Sequence, residues 1–424
     1  MKILLASPNG DGPWVALYLL HEGHDVAWIA KHQRDKDSLR GLLPPPIETI
    51  GNPSDYDLVV YDFCADGKGA DEIRSLTPVI GSSEFSDQLE HDRTFGIKFM
   101  EECGIPVPPY ETFTDVGDAI AWLNETKKRC VFKPSGDVQD KATTYVSKSS
   151  EDMIKYLEVL QKRAKISEFL LQEFIEGTEV STDGWFNGTT FCAVAHTLEE
   201  KKFLSGGVGP NTGCSGNLVW MPSGVNPLFE RGLRRAEACL QRAGFVGPID
   251  LNTIVTEGEV YGLEWTPRFG YEGTCNVMAL MPVNFGEFMH QIATSSTIAP
   301  IIPKAAFAAT IRVTVPPYPT QIKNASKFAG VPIEGINLDK LDRFFLSDVR
   351  VKEGTEDELE TGGVDGLIGA PIGLGDTIHG AFGECQAIID ELKIPDMMYR
   401  NDIEKCVENR YELLRKQGWL RRLG

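Results

Sequence analysis

Apolar and polar positions change period several times along this chain. Ile3-Leu4-Leu5-Ala6 is a continuous apolar run, which predicts a strand buried on both faces. Ser7 to Pro13 reads as a turn with Gly10 and Gly12, and Trp14 to His21 as a helix. Strands are expected at Asp25 to Ile29 and Asp57 to Asp62, then a helix near Ala70 to Leu76 and a strand at Pro78 to Gly81. Strands alternating with helices predict a small parallel α/β unit ending near residue 88. A helix from Glu90 to Cys103 should follow, stopped by Gly104 with Pro106 and Pro108 beyond.

The middle of the chain mixes both periods. Helices are expected at Ala119 to Lys127 and Glu151 to Lys162, with strands at Cys130 to Pro134, Phe169 to Ile175, Val180 to Phe186 and Thr190 to Ala195. Leu204 to Gly216 is dense in glycine, so it is either a flexible flap or a surface of exposed backbone N–H groups. Leu228 to Ala243 reads as one amphipathic helix. A hairpin follows: a strand from Pro248 to Val255, a turn at Glu257-Gly258-Glu259, and a strand to Thr266. After Pro303 the pattern is β-rich (Ala308 to Val315, Phe344 to Lys352, Gly366 to Leu374), and a last helix is expected from Arg400 to Gln417.

Composition narrows the class. At 424 residues the chain exceeds one ordinary core, so several domains are expected. A formal net charge of −19 argues against a nucleic-acid surface, which needs clustered Lys and Arg. None of the nine cysteines forms a C-x-x-C pair, which argues against a zinc ribbon or thioredoxin motif, and their odd count suggests reduced thiols in a cytoplasmic protein. The apolar run at residues 3–6 is too short for a secretory leader, and no later run approaches a membrane span.

Candidate chemistry gathers on the predicted hairpin. Alternate side chains of a strand share a face, so Asp250 and Glu264 can meet on one face of a sheet with Arg268 just beyond. Acids within apolar strands are costly unless paired or bound to a cation. Two such carboxylates suit Mg²⁺, which shares oxygen ligands with substrate phosphates, and an arginine suits a transferring phosphoryl group. The plainer alternatives are strand-end surface acids and an Arg268–Glu264 salt bridge. Lys133, a lysine on an apolar strand, either contacts nucleotide phosphates or snorkels at the strand end. Glu173 and Glu179 flank the turn Glu176-Gly177, as an adenine and ribose site or as an acidic hairpin end. The Gly10 and Gly12 loop is either a phosphate or substrate cradle or a tight βα turn.

Taken in order, these segments resemble the ATP-grasp superfamily, and within it the phosphoribosylamine–glycine ligase family, over nearly the whole chain. Val131-Phe132-Lys133-Pro134 is similar to the family's lysine strand. Gln172 to Ser181 resembles its nucleotide hinge. Gly209-Pro210-Asn211-Thr212-Gly213 reproduces its substrate-side loop, and Leu263-Glu264-Trp265-Thr266-Pro267-Arg268-Phe269-Gly270 its metal strand. Gly375 to Gly380 and Tyr399-Arg400-Asn401-Asp402-Ile403 resemble its C-terminal part.

The resemblance implies an α/β ATP-grasp fold. An N-terminal parallel α/β domain would span residues 1–88, and an ATP-grasp domain 89–300 with a small lid subdomain about 110–190. A C-terminal β-rich domain would span 301–424. It implies ATP with Mg²⁺ or Mn²⁺ and an ADP-forming union of a carboxylate, glycine in the simplest case, with an amine through an acyl phosphate, in purine biosynthesis. Arg93 and Lys133 would contact phosphates, Glu173 with the backbone at Phe174 and Ile175 adenine, and Glu179 the ribose. Asp250 and Glu264 would carry the metal, Arg268 and Lys133 the catalysis, and Asn211, Thr212, Gly213, Gly10 and Gly12 would face the substrates. The protein would be a monomer or homodimer without a membrane or nucleic-acid partner.

Three segments depart from the family. Thr266 stands where the family has Asn, Asn9-Gly10-Asp11-Gly12-Pro13 replaces a Gly-Gly-Arg-Glu-His run at the amine site, and Cys214 and Asn217 depart from its Gly- and Met-containing loop. The alternatives are therefore a ligase acting on a different amine and a catalytically reduced nucleotide-binding module.

Overall fold

The structure is a computed structural model, and it describes residues 1–8, 12–31, 34–135, 144–163, 168–295, 297–320 and 325–423. The N-terminal unit contains β1 (Lys2–Ala6), α1 (Pro13–His21), β2 (Asp25–Ile29), β3 (Leu58–Tyr61), α2 (Gly67–Arg74) and β4 (Val79–Ile80). Its strands are parallel in the order β2-β1-β3-β4. Ile3, Leu4, Leu5, Leu58, Val59 and Val60 are fully buried, which accounts for their unbroken apolar runs.

The helix expected from Glu90 to Cys103 is two helices, α3 (Glu84–His91) and α4 (Arg93–Glu102). Asp92 breaks them with an extended backbone, and its side chain accepts from the Phe95 N–H as the α4 cap. The break leaves Glu90 and Arg93 on either side of a corner.

A second, antiparallel sheet is built from β5 (Tyr110–Phe113), β6 (Cys130–Ser135), β7 (Tyr145–Val146) and β8 (Glu168–Glu173) in the order β5-β8-β6-β7. α5 (Val116–Thr126) and α6 (Ser150–Arg163) cover it through Leu123, Met153, Leu157 and Phe169.

The large sheet begins with β9 (Thr178–Phe186), β10 (Phe191–Leu204) and β11 (Val208–Trp220). The glycine-dense segment is therefore mostly strand. Its glycines take positive φ at Gly206, Gly207, Gly209 and Gly213, so the β10–β11 hairpin has an irregular register near its tip. The helix expected from Leu228 to Ala243 is broken at Gly232 into α7 (Pro227–Arg231), a 3₁₀ turn and α8 (Glu237–Arg242). The predicted hairpin is β12 (Gly247–Val255) with β13 (Val260–Thr266). Two helices not expected from the sequence follow, α9 (Glu272–Leu280) and α10 (Phe285–Ala293). α9 is buried on every side, so it carries no amphipathic stripe to read.

The later strands are β14 (Phe307–Ile311), β15 (Val313–Thr314), β16 (Pro332–Ile333), β17 (Phe344–Leu346), β18 (Val349–Val351), β19 (Leu359–Thr361) and β20 (Leu367–Gly375), with helices α11 (Ile378–Glu391) and α12 (Ile403–Lys416). The large sheet runs β13-β12-β9-β10-β11-β14-β20-β15, with β17 on β20, so the C-terminal strands extend it. β16, β19 and β18 form a small separate sheet. α11 was not anticipated; it packs on β20 and β14 through Ile378, Ala381, Phe382 and Cys385.

Candidate active site

The large sheet presents one polar face. Asp250 pairs with Thr266 and Asn252 with Glu264 across β12 and β13, so these four side chains share that face. On the other side of β12, Asp183 of β9 lies opposite Asp250 and Ser181 opposite Asn252. Glu179 of β9 and Thr197, Glu199 and Lys201 of β10 continue the face. It floors a cleft of about 1170 Å³ that is also lined by Lys133, Glu173, Phe174, Ile175, Arg93 and Arg268.

The cations reach in from different elements. Arg93, first residue of α4, places Nη1 3.6 Å from Glu264 Oε2. Lys133 Nζ donates to the Leu263 carbonyl at 3.3 Å. Burial lowers the Lys133 ammonium to about 8, against the attraction of Glu264. Lys201 is bound to Glu179 at 2.5 Å, and Asn252 Nδ2 donates to the same carboxylate oxygen at 2.9 Å. Burial opposes ionisation of Glu179, but Lys201 outweighs it and holds that carboxyl below its ordinary range. Arg268 pairs with Glu90 at 3.2 Å rather than with Glu264, and its Nη1 donates to the Phe269 carbonyl.

The acids beyond Glu264 are poorly compensated. Burial raises Asp183 to about 6, although Thr197 Oγ1 donates to it at 2.8 Å. Burial and neighbouring carboxylates raise Glu199 to about 7. Asp250 is pushed well above the usual range by burial and by Asp183, and its Oδ1 is buried with no hydrogen-bond partner among the described residues. A buried carboxylate oxygen without a donor fits a bound cation. Among the described residues no three His, Cys, Asp or Glu side chains form a complete metal cage, so a cation held by Asp250 and Glu264 would share its remaining ligands with phosphates or water.

At the segment expected to take the nucleotide, Glu173 is bound to Lys128, and the Phe174 ring lies under the Arg129 guanidinium. The Phe174 N–H is committed to the Arg129 carbonyl at 2.9 Å. The Ile175 N–H has no partner among the described residues, so it is the hinge donor left for a ligand.

Asn211, Thr212 and Gly213 of β11 line the same cleft. Arg312 fastens this strand: its Nη1 donates to the Thr212 carbonyl at 2.9 Å and to Tyr318 Oη at 2.6 Å, while Glu272 neutralises it. Gly10 lies outside the described residues. Gly12 does not line the cleft. Its N–H donates to Ser7 Oγ at 3.0 Å, Ser7 Oγ donates to Asp62 at 2.7 Å, and a Cβ at Gly12 would stand 2.0 Å from Asp62 Oδ2.

Asp183, Glu199, Lys201, Asn252 and the Arg312–Glu272 pair were not anticipated. Period-two counting from Glu179 reaches Asp183, and from Asp250 reaches Asn252, so that signal was available. Nothing local announces Arg312 and Glu272, which meet only through the fold.

Residues 91–269 match the family model for the ATP-grasp (A) domain of phosphoribosylglycinamide synthetase. The chain is 25% identical to a phosphoribosylamine–glycine ligase of Leifsonia xyli, covering 95% of this chain and 99% of that protein. It is 23% identical to the corresponding ligase of Fusobacterium nucleatum, covering 77% of each. In fold it is similar to the phosphoribosylamine–glycine ligase of Thermotoga maritima, with a TM-score of 0.74 at 20% identity over 95% of this chain and 100% of the other. A biotin carboxylase of Campylobacter jejuni gives 0.65 at 13% identity over 99% and 97%. The chain carries an ATP-grasp domain match over residues 91–269 and resembles phosphoribosylamine–glycine ligase over 95% of its length.

Proposed function

We propose that this protein is an ATP-dependent, ADP-forming ligase that joins a carboxylate to an amine through an acyl phosphate, most simply glycine to phosphoribosylamine. The observation that carries the reading is the common sheet face of Asp250 and Glu264, in one cleft with a hinge whose Ile175 N–H has no partner among the described residues and with the Asn211–Gly213 segment.

In this reading Ile175 and Glu173 hold the adenine end and Glu179 the ribose. Lys133 and Arg93 meet the phosphates, and Arg268 steadies the phosphoryl group in flight. A divalent cation, Mg²⁺ or Mn²⁺, at Asp250 and Glu264 would offset phosphate charge. A carboxylate oxygen held by Asn211, Thr212 and Gly213 attacks the γ-phosphorus, and the bond to ADP breaks. The amine nitrogen then attacks the acyl carbon, the carbon–oxygen bond to phosphate breaks, and the amine gives up a proton. Arg93 and Lys133 are buried, which strengthens their hold on charge. No described helix is long and apolar enough to cross a membrane.

The test is ADP release from Mg-ATP with glycine and a panel of amines, phosphoribosylamine included. The reading expects ADP and amide in equal amounts with phosphoribosylamine. Turnover with another amine alone would move the acceptor. ATP binding without ADP under every combination would leave only a nucleotide-binding module.

A further inference from the structure

The hairpin formed by β10 and β11 carries both ends of the proposed chemistry. Glu199 and Lys201 line the cleft from β10, and Asn211 to Gly213 line it from β11. Its tip is exposed, with Leu204, Gly206, Gly207 and Val208 open to solvent. A segment rich in positive-φ glycine would not hold a single geometry unaided.

What holds it comes from the far end of the sequence. The Arg400 guanidinium, only 2% exposed, is bound bidentately to Asp402, with Nε 2.8 Å from Oδ1 and Nη2 3.0 Å from Oδ2. Its Nη1 donates to the Lys202 carbonyl at 2.8 Å and to Glu200 at 3.2 Å. Asp402 Oδ2 accepts the Gly206 N–H at 2.7 Å, and Ser205 Oγ donates to Asn401 at 3.2 Å. Arg410 of α12 adds bonds to Glu200 at 2.7 Å and to the Glu199 carbonyl at 2.8 Å. Arg400 holds the Asp402 carboxyl down to about 2, so the pair stays charged at neutral pH. These contacts fall on Glu200 and Lys202, the residues interleaved with Glu199 and Lys201 along β10.

We propose that Arg400, acting with Asp402, is a positioning residue for the reaction: it fixes the β10–β11 hairpin so that Asn211 to Gly213 hold the carboxylate substrate in line with the γ-phosphate and keep water from the acyl phosphate. The inference rests on the ligase reading above. Arg400 touches no substrate. A loosened hairpin would admit water to the acyl carbon, where water's oxygen bonds to carbon and the carbon–oxygen bond to phosphate breaks. The free carboxylate, phosphate and ADP result, and no amide forms.

The experiment compares wild type with Arg400→Gln, Arg400→Lys and Asp402→Asn in steady-state turnover of Mg-ATP, glycine and phosphoribosylamine, counting ADP and amide separately. Arg400→Gln is expected to raise KM for glycine about ten- to a hundredfold, with KM for ATP changed far less, because sub-ångström placement governs in-line attack. ADP should exceed amide in Arg400→Gln, while Arg400→Lys recovers part of the coupling. Asp402→Asn, which keeps Arg400 and disturbs mainly the Gly206 end, should show a smaller effect of the same kind and serves if Arg400→Gln does not fold. Equal ADP and amide with an unchanged glycine KM in any folded variant of the pair would overturn the proposal. So would a loss of kcat alone that tracks the folded fraction. If wild type itself makes no ADP with any amine, the ligase reading fails instead, which is a separate outcome.

Discussion

Arg93 at the start of α4 places its guanidinium 3.6 Å from the carboxylate of Glu264, 171 positions later in sequence on β13. The contact exists because Asp92 ends one helix and caps the next, turning Arg93 into the cleft. It joins a cation suited to phosphate to an acid suited to a metal.

Glu264→Gln keeps the shape of the side chain and removes its charge. Turnover should fall by about a hundredfold or more, because charge placed for the transition state is lost. Circular dichroism and melting temperature should stay close to wild type, since Glu264 is 30% exposed and Gln keeps the shape of its side chain. Near-normal ADP release would show that the metal sits elsewhere.

Arg268→Met should act on both function and stability. Glu90 is 5% exposed and would lose the guanidinium that compensates it, which costs about 3–5 kcal/mol when one partner of a buried pair is removed. Chemical denaturation should show that loss. The double variant Arg268→Met with Glu90→Gln should recover much of the stability and none of the turnover.

Gly12→Ala separates packing from substrate binding. Its Cβ would meet Asp62 Oδ2 at 2.0 Å, so the Ser7–Asp62 pair must shift, at about 1–3 kcal/mol for an overpacked site. The melting temperature should drop while KM for glycine and for the amine stays as in wild type. A raised KM with unchanged stability would return Gly12 to the substrate site.

His196 gives a pH dependence. It is buried, its Nε2 accepts from Asn226 Nδ2 at 2.9 Å, and its Nδ1 lies 3.0 Å from Thr182 Oγ1. Asn226 Oδ1 is already used by the Phe229 N–H, so the neutral Nδ1–H tautomer fits. Burial lowers the ring from 6.5 to about 3. The folded protein therefore binds this proton less readily than the unfolded chain. Its stability contribution is complete above about 6.5 and is lost as pH falls toward 3, with a slope approaching ~1.4 kcal/mol per unit. Denaturation between pH 7 and 4 should show that slope, and His196→Gln should flatten it.

The parts of the site legible in sequence were those set by one strand's alternation. Asp250 with Asn252, and Glu264 with Thr266, follow that alternation, but Asp250 and Glu264 share a face only because β13 carries one extra residue between Gly262, opposite Thr253, and Glu264, opposite Asn252, which no pattern in the sequence announced. Lys133 and the Asn211 segment stood out because their residue types are unusual where they lie. The break at Asp92 was hidden because an Asp cap inside an apolar pattern reads as an ordinary polar position. The β11 strand was hidden because its glycines lack side chains to alternate. Arg312 and Glu272 are 40 positions apart on a loop and a wholly buried helix, so only folding brings them together.

Isothermal titration of ATP, with and without Mg²⁺, into wild type, Asp250→Asn and Glu264→Gln tests the shared carboxylate face most directly. Wild type should bind ATP much more tightly with Mg²⁺ than without, and each variant should lose most of that difference while keeping metal-free binding. An ATP affinity indifferent to Mg²⁺ in wild type, or a full Mg²⁺ effect surviving in both variants, would contradict the placement of the cation between residues 250 and 264.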